Sequence, residues 1–186
     1  LDPGAHRRIL AAAAQLLTER GASGMSVAEV AALAGVGKAT IYRHWADKDA
    51  LLLDAVRAVL LQEVPVIDTG ALRTDLAAVY GAELAFAGSP QGTALIRYLV
   101  HESTRDERFA ALFRESLAAS RAAADVMVDR AVARGELAAD VDRRLLWELL
   151  PGWIMLRLVT GDPLPAPERA AVIVDGVLEG FLLRRP

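Results

Sequence analysis

Residues 25–52, MSVAEVAALAGVGKATIYRHWADKDALL, constrain the fold more than any other stretch, because they set two short helices on either side of a Gly-Val-Gly turn. Ser26 is placed as a helix N-cap, Glu29 three residues on completes a Ser-x-x-Glu capping box, and Met25 stands where it can staple against Val30. Val27, Val30, Ala31 and Ala34 repeat at helical spacing. Gly35 then ends the helix, since a residue without Cβ enters the left-handed conformation at little cost, and Gly37 opens the next one. Two helices joined through a turn of about three residues have the layout of a helix-turn-helix.

The second helix, roughly residues 38–45, has the chemistry of a major-groove reader. Lys38, Ala39, Thr40, Tyr42, Arg43 and His44 are short or polar, while Ile41 and Trp45, four apart, anchor one face in the core. No acidic residue stands between Glu29 and Asp47. Phosphate repels carboxylates and attracts cations, so an acid-free stretch around Lys38 and Arg43 suits docking on DNA. Of the 21 basic residues only two are lysine, Lys38 and Lys48, and both fall here. Both are assigned to clamping phosphate, Lys48 at the start of a further helix whose free N–H groups also favour anions. Arg43 suits a bidentate guanine contact or a phosphate, and His44 a phosphate. Ser26 caps, and Val27 can offer only its backbone N–H to a phosphate.

The net charge of −3 divides unevenly: residues 1–60 hold seven basic against six acidic side chains, and residues 61–186 hold fourteen against eighteen. An acidic body on a mildly basic head turns the head toward DNA. The absence of cysteine excludes disulfide scaffolds, thiolate metal sites and cysteine nucleophiles. Only three histidines exist, and His101 has no His or Asp at i+3 or i+4, so neither a metal nor a cofactor is expected. Gly35-x-Gly37-Lys38 is no phosphate loop, because Ala32 occupies the place of its first glycine. Charged residues interrupt every apolar run well before a membrane span is reached, and the expected compartment is the cytoplasm.

The remaining pattern is helical, and the expected fold is all-α with about nine helices. Asp2-Pro3 opens a helix that Gly21 stops, and Asp47 opens one that ends before Pro65. Further helices are expected from about residue 69 to 87, from Ser89-Pro90 to about Ser103, and from Asp106 to Arg134. The eighth, from about Asp142 to Thr160, should be interrupted at Pro151-Gly152, and the ninth should run to about Arg184. These last two are apolar over most of their circumference, with Leu150, Ile154 and Leu158 on one and Val174, Val177, Leu178 and Phe181 on the other. Such helices lie either at the centre of a large core or against a second copy.

Met25 to Leu52, with RRILAAAAQLLTERG before it, resembles the DNA-binding domain of the TetR family of bacterial transcriptional regulators. The run AGVGKATIYRHW followed by DKDALL carries the likeness, and LLPGWIMLRLVTGDPLP adds a weaker one. The resemblance implies a helix-turn-helix domain over residues 1–48 and a helical ligand-binding and dimerisation domain over 49–186. It implies that Thr40 and Tyr42 touch base edges and phosphates, and that the last two helices pair across a homodimer. The expected function is therefore a repressor that binds a palindromic operator as a dimer and is released by a mostly apolar small molecule. An effector must prefer the non-DNA conformation by about 1 to 3 kcal/mol to matter. Its expected lining is Tyr80, Phe86, Tyr98, His101, Phe113, Met127 and Trp153, with Ser116 and Ser120 as polar contacts. The competing reading is an all-helical small-molecule-binding protein or enzyme with a non-functional head. No constellation of nucleophile, base and carboxylate supports it.

Overall fold

The computed structural model describes residues 2–61 and 66–179, which form nine α-helices and one short 3-10 turn, with no β-strand among the described residues. In chain order they are α1 (Pro3–Arg20), α2 (Val27–Ala34), α3 (Lys38–His44), α4 (Lys48–Leu60), α5 (Leu72–Gly88), α6 (Pro90–Ser103), α7 (Glu107–Ala133), α8 (Arg143–Thr160) and α9 (Ala170–Leu178). The chain forms two compact units. One comprises Leu1–Gln62 with Pro90–Ser116, and the other Glu63–Ser89 with Leu117–Pro186.

In the first unit α1 is the spine. Asp2 caps it, its carboxylate accepting from the Ala5 N–H at 3.0 Å, and Ile9, Ala13, Leu16 and Leu17 form its buried stripe. The helices α2, α4 and α6 pack on it. Leu51, Leu52, Ala55 and Val56 of α4 are completely buried, which is why α4 belongs with this unit although a boundary after residue 48 is expected from the resemblance. Arg57 of α4 donates to Glu115 of α7 at 2.6 Å, and the Tyr98 ring of α6 meets Phe109 edge-on at 5.5 Å. The chain thus returns to its N-terminal helices after residue 90.

In the second unit α5 packs chiefly on α9, and α8 packs on both. Leu72, Leu76, Tyr80 and Leu84 of α5 face inward with Leu146, Leu150, Ile154 and Leu158 of α8 and Ala170, Val174 and Leu178 of α9. The break expected at Pro151-Gly152 does not occur: α8 is one helix with Pro151 inside it. A proline removes one backbone bond, but buried Leu150 and Ile154 on either side carry the helix across by packing. The expected reach of the last helix to Arg184, and Phe181 with it, lies outside the described residues.

Candidate DNA-binding face and ligand cleft

The helix-turn-helix is held by local bonds that its sequence anticipates. The Ser26 hydroxyl accepts from the Glu29 N–H at 3.3 Å, and Glu29 Oε2 accepts from the Ser26 N–H and hydroxyl, both at 2.8 Å. These bonds, foremost that from the Ser26 side chain, hold the Glu29 carboxyl below its usual pKa. At the other end Gly35 takes φ 66° and ψ 40°, its N–H reaches Ala32 O at 3.2 Å, and the Val36 N–H reaches Ala31 O at 2.9 Å. That pair of bonds closes the helix in a Schellman motif and aims the chain into α3. Two arginines of α1 pin α2 from behind, Arg8 on the Ala34 carbonyl at 3.2 Å and Arg20 on Glu29.

One face of α3 is anchored and the other is bare. Ile41 and Trp45 are buried, at 1% and 4% exposure, and the indole N–H donates to Asp54 of α4 at 2.8 Å while His6 stacks on the ring at 5.3 Å. Lys38, Ala39, Tyr42, Arg43 and His44 are exposed, and Thr40 is half-buried beside them. Tyr42 stands out at 55% exposure, a large aromatic left in water. Lys38 and Arg43 have no internal acceptor among the described residues. Partial desolvation, together with nearby positive charge that includes Arg43, holds the His44 imidazole below its usual pKa.

Lys48 and the start of α2 are placed differently. The Lys48 ammonium donates to the Ala22 carbonyl at 2.7 Å, fixing the segment between α1 and α2, and keeps further N–H donors for an anion. The Ser26 side chain is fully engaged in its cap. Val27 is buried, leaving its backbone N–H as its polar contribution at the helix start.

The second unit contains a shallow open cleft: only about 20 Å³ of it is enclosed, and the figure rises to about 450 Å³ when the open space out to its mouth is counted. Its walls are Leu76, Val79, Tyr80 and Glu83 from α5, Ala124, Asp125 and Val128 from α7, and Arg143, Leu146, Trp147, Leu150 and Pro151 from α8. Of the expected lining only Tyr80 is there. Met127 is buried, Phe86, Ser120 and Trp153 are half-buried away from these walls, and Trp153 lies under the Arg157 guanidinium at 4.4 Å. Tyr98, His101, Phe113 and Ser116 belong to the first unit, where His101 is exposed beside Glu102 and Arg105, and the Ser116 hydroxyl donates to Phe113 O at 2.8 Å. Trp147, not Trp153, is the tryptophan of the cleft, because it falls on the face of α8 that meets α5 and α7. Glu83, Asp125 and Arg143 escape a search for aromatics and methionines, since a charged residue on a helix normally marks its solvent side.

Burial pushes the Glu83 carboxyl up to about 7 and the Tyr80 phenol up to about 12. The Tyr80 hydroxyl points to the Leu150 carbonyl at 3.4 Å, a long hydrogen bond. Arg143 donates to Asp129 at 2.6 Å. Neither Glu83 nor Asp125 has a hydrogen-bond or ion-pair partner among the described residues.

The apolar residues expected at a dimer interface divide by face. Leu150, Ile154, Leu158, Val174 and Leu178 are buried within the chain itself, and Val177 is half-buried. The opposite face of α8 exposes Leu145, Leu149, Leu156 and Val159, at 47, 42, 60 and 67%. With Gly152 these follow a 4-3-4-3 spacing, a straight seam along one side of a helix. On α9 Val172, 58% exposed, and Gly176 continue the pattern. A Cβ at Gly152 or Gly176 would meet nothing within 4 Å. Among the described residues no helix is long and apolar enough to cross a membrane.

Comparison with known proteins bears on both parts of the chain. Residues 9–55 match the family described as "Bacterial regulatory proteins, tetR family", and residues 66–177 match "Tetracyclin repressor-like, C-terminal domain". The DNA-binding transcriptional repressor TetR of Mycobacteroides abscessus is 38% identical over 162 residues, which cover 84% of this chain and 83% of that one. The HTH-type transcriptional regulator AqdR of Rhodococcus erythropolis is 35% identical over 171 residues, covering 90% and 82%. A crystal structure of a TetR transcription regulator from Haloarcula marismortui shares the fold with a TM-score of 0.81 over 96% of this chain and 98% of that one, at 19% identity.

Proposed function

The chain belongs to the TetR family of DNA-binding transcriptional regulators, and from that premise we propose that it is a cytoplasmic homodimeric repressor which reads a palindromic operator and is released by a small molecule. The observation that carries this reading is the bare face of α3. Lys38 and Arg43 stand there without acceptors among the described residues, on a helix whose other face is locked by Ile41 and Trp45. A rigid helix with free cations beside short and aromatic side chains can enter the major groove without rearranging first.

In this reading Thr40, Tyr42 and Arg43 read base edges, with Ala39 short enough to let the helix approach. Lys38, His44, Lys48 and the backbone N–H of Val27 hold phosphates, and Ser26 keeps α2 capped. The second copy sits on the exposed seam of α8 and α9, where Leu145, Leu149, Leu156, Val159 and Val172 supply apolar surface and two glycines permit close approach. Leu150, Ile154, Leu158, Val174 and Leu178 support that seam from within. The effector occupies the cleft walled by Tyr80, Glu83 and Trp147.

Selection from a random duplex library at ~0.1 M salt tests the reading. The expected product is a two-fold symmetric motif enriched by the purified protein. An asymmetric motif would remove the dimer, and no enrichment would remove DNA reading by α3.

A further inference from the structure

The cleft of the second unit has a charge that its own residues leave unanswered, and this deepens the reading of it as the effector site, on which the inference rests. Its walls are apolar except for Glu83, Asp125 and Arg143. Arg143 is already paired with Asp129 at 2.6 Å, so its charge is answered on α7. Glu83 is half-buried beside Tyr80, has no partner among the described residues, and shares the cleft with Trp147. A carboxylate in such a place either takes a proton or recruits a cation, because removing it from water without a donor is costly. An anionic ligand would add a like charge to two carboxylates. A neutral apolar ligand would leave Glu83 more deeply desolvated than before.

We propose that this cleft takes an organic cation, an alkyl- or arylammonium whose charge rests against Glu83 and whose apolar body lies against Tyr80 and Trp147. The attraction has two parts. The carboxylate supplies charge complementarity, and the indole face supplies a cation–π contact that strengthens as water is excluded. Asp125 reinforces the negative potential from α7, and Arg143 from α8 is neutralised by Asp129. Arg157 of α8 is near enough to act on Tyr80 but donates to the Pro163 carbonyl at 2.7 Å. Since Glu83 is half-protonated near pH 7, taking up a cation ionises it and releases a proton.

The test uses the whole chain and two probes of one shape, benzyltrimethylammonium and its uncharged carbon isostere neopentylbenzene, followed by titration calorimetry at pH 6 and pH 8. The cation should bind at least tenfold more tightly than the isostere at pH 8, and its affinity should fall several-fold at pH 6. Glu83→Gln should abolish both the preference and the pH dependence while the variant still binds DNA. Equal binding of the two probes, or an unchanged preference in the variant, overturns the proposal but leaves the cleft as an effector site. Binding of neither probe overturns the proposal and the cleft together, and leaves the DNA-binding reading of α3 untouched.

Discussion

The indole N–H of Trp45 donates to the carboxylate of Asp54 across 2.8 Å, joining the residue that caps the C-terminus of the reader helix to the middle of α4. The bond orients the largest side chain under α3 and removes a polar group that would otherwise be buried without a partner. Asp54→Ala should therefore destabilise the chain by about 1 to 3 kcal/mol, and Trp45→Ala by about 3 to 5 kcal/mol, in urea unfolding. If Asp54→Ala costs nothing, the indole has found another acceptor and the bond does not organise the head.

Lys38 and Lys48 should separate by what they hold. Lys38→Ala removes a free cation, so it should flatten the dependence of DNA affinity on salt by a slope of about 2 per dimer while leaving folding unchanged. Lys48→Ala should flatten the slope similarly and also lower stability by about 0.5 to 1.5 kcal/mol, because the Ala22 carbonyl loses its donor. An unchanged slope for Lys48→Ala would leave it a purely structural residue.

Thr40→Ala and Tyr42→Ala should change which bases are preferred, each weakening the best sequence by about 1 to 3 kcal/mol while sparing non-specific binding. Uniform loss across all sequences would instead make them positioning contacts.

Leu156 and Leu150 lie on opposite faces of α8, and mutation should tell them apart. Leu156→Glu, at an exposed position, should yield a folded monomer by sedimentation and weaken operator binding. Leu150→Ala should lower stability by about 2 to 5 kcal/mol through a cavity inside the chain. A dimeric Leu156→Glu protein would move the interface elsewhere.

Glu83 makes stability depend on pH with a defined sign. Its carboxyl titrates near 7 when folded and near its ordinary 4.5 when unfolded, so between those values the folded chain binds more protons. Stability contributed by this group is complete below about pH 4.5 and is lost as pH rises through 7. Glu83→Gln should thus gain about 1 to 3 kcal/mol over the parent at pH 8 and nothing at pH 4.5. His44 acts in the opposite sense, since its lowered pKa makes the folded chain resist protonation. The comparison of parent and variant cancels that contribution. Equal melting temperatures at pH 8 would mean that Glu83 is well solvated.

The helix-turn-helix was legible because its signals are local. Ser26 and Glu29 are three apart, Gly35 ends the helix it follows, and Ile41 and Trp45 share a face by spacing alone. What required the structure was non-local. On α8 both faces are apolar, so periodicity could not tell Leu150, turned inward, from Leu149, left in water. The cleft was missed because Glu83 reads as an ordinary polar position on α5 until residues 124–128 and 143–151 close around it. Tyr98 and Phe113 lie away from that cleft, because they sit in the segment that belongs with α1 and α4.

The three tryptophans of the chain fall in three unlike surroundings: Trp45 stacked on His6, Trp147 on the cleft wall, and Trp153 beneath the Arg157 guanidinium. Each indole is therefore a built-in optical reporter of a different event. Emission from Trp45 should change when DNA covers the face of α3 beside it. Trp147 should shift colour when water leaves the cleft. A set of single-tryptophan variants would thus read the DNA-binding and effector-binding halves of this regulator separately, without any attached dye.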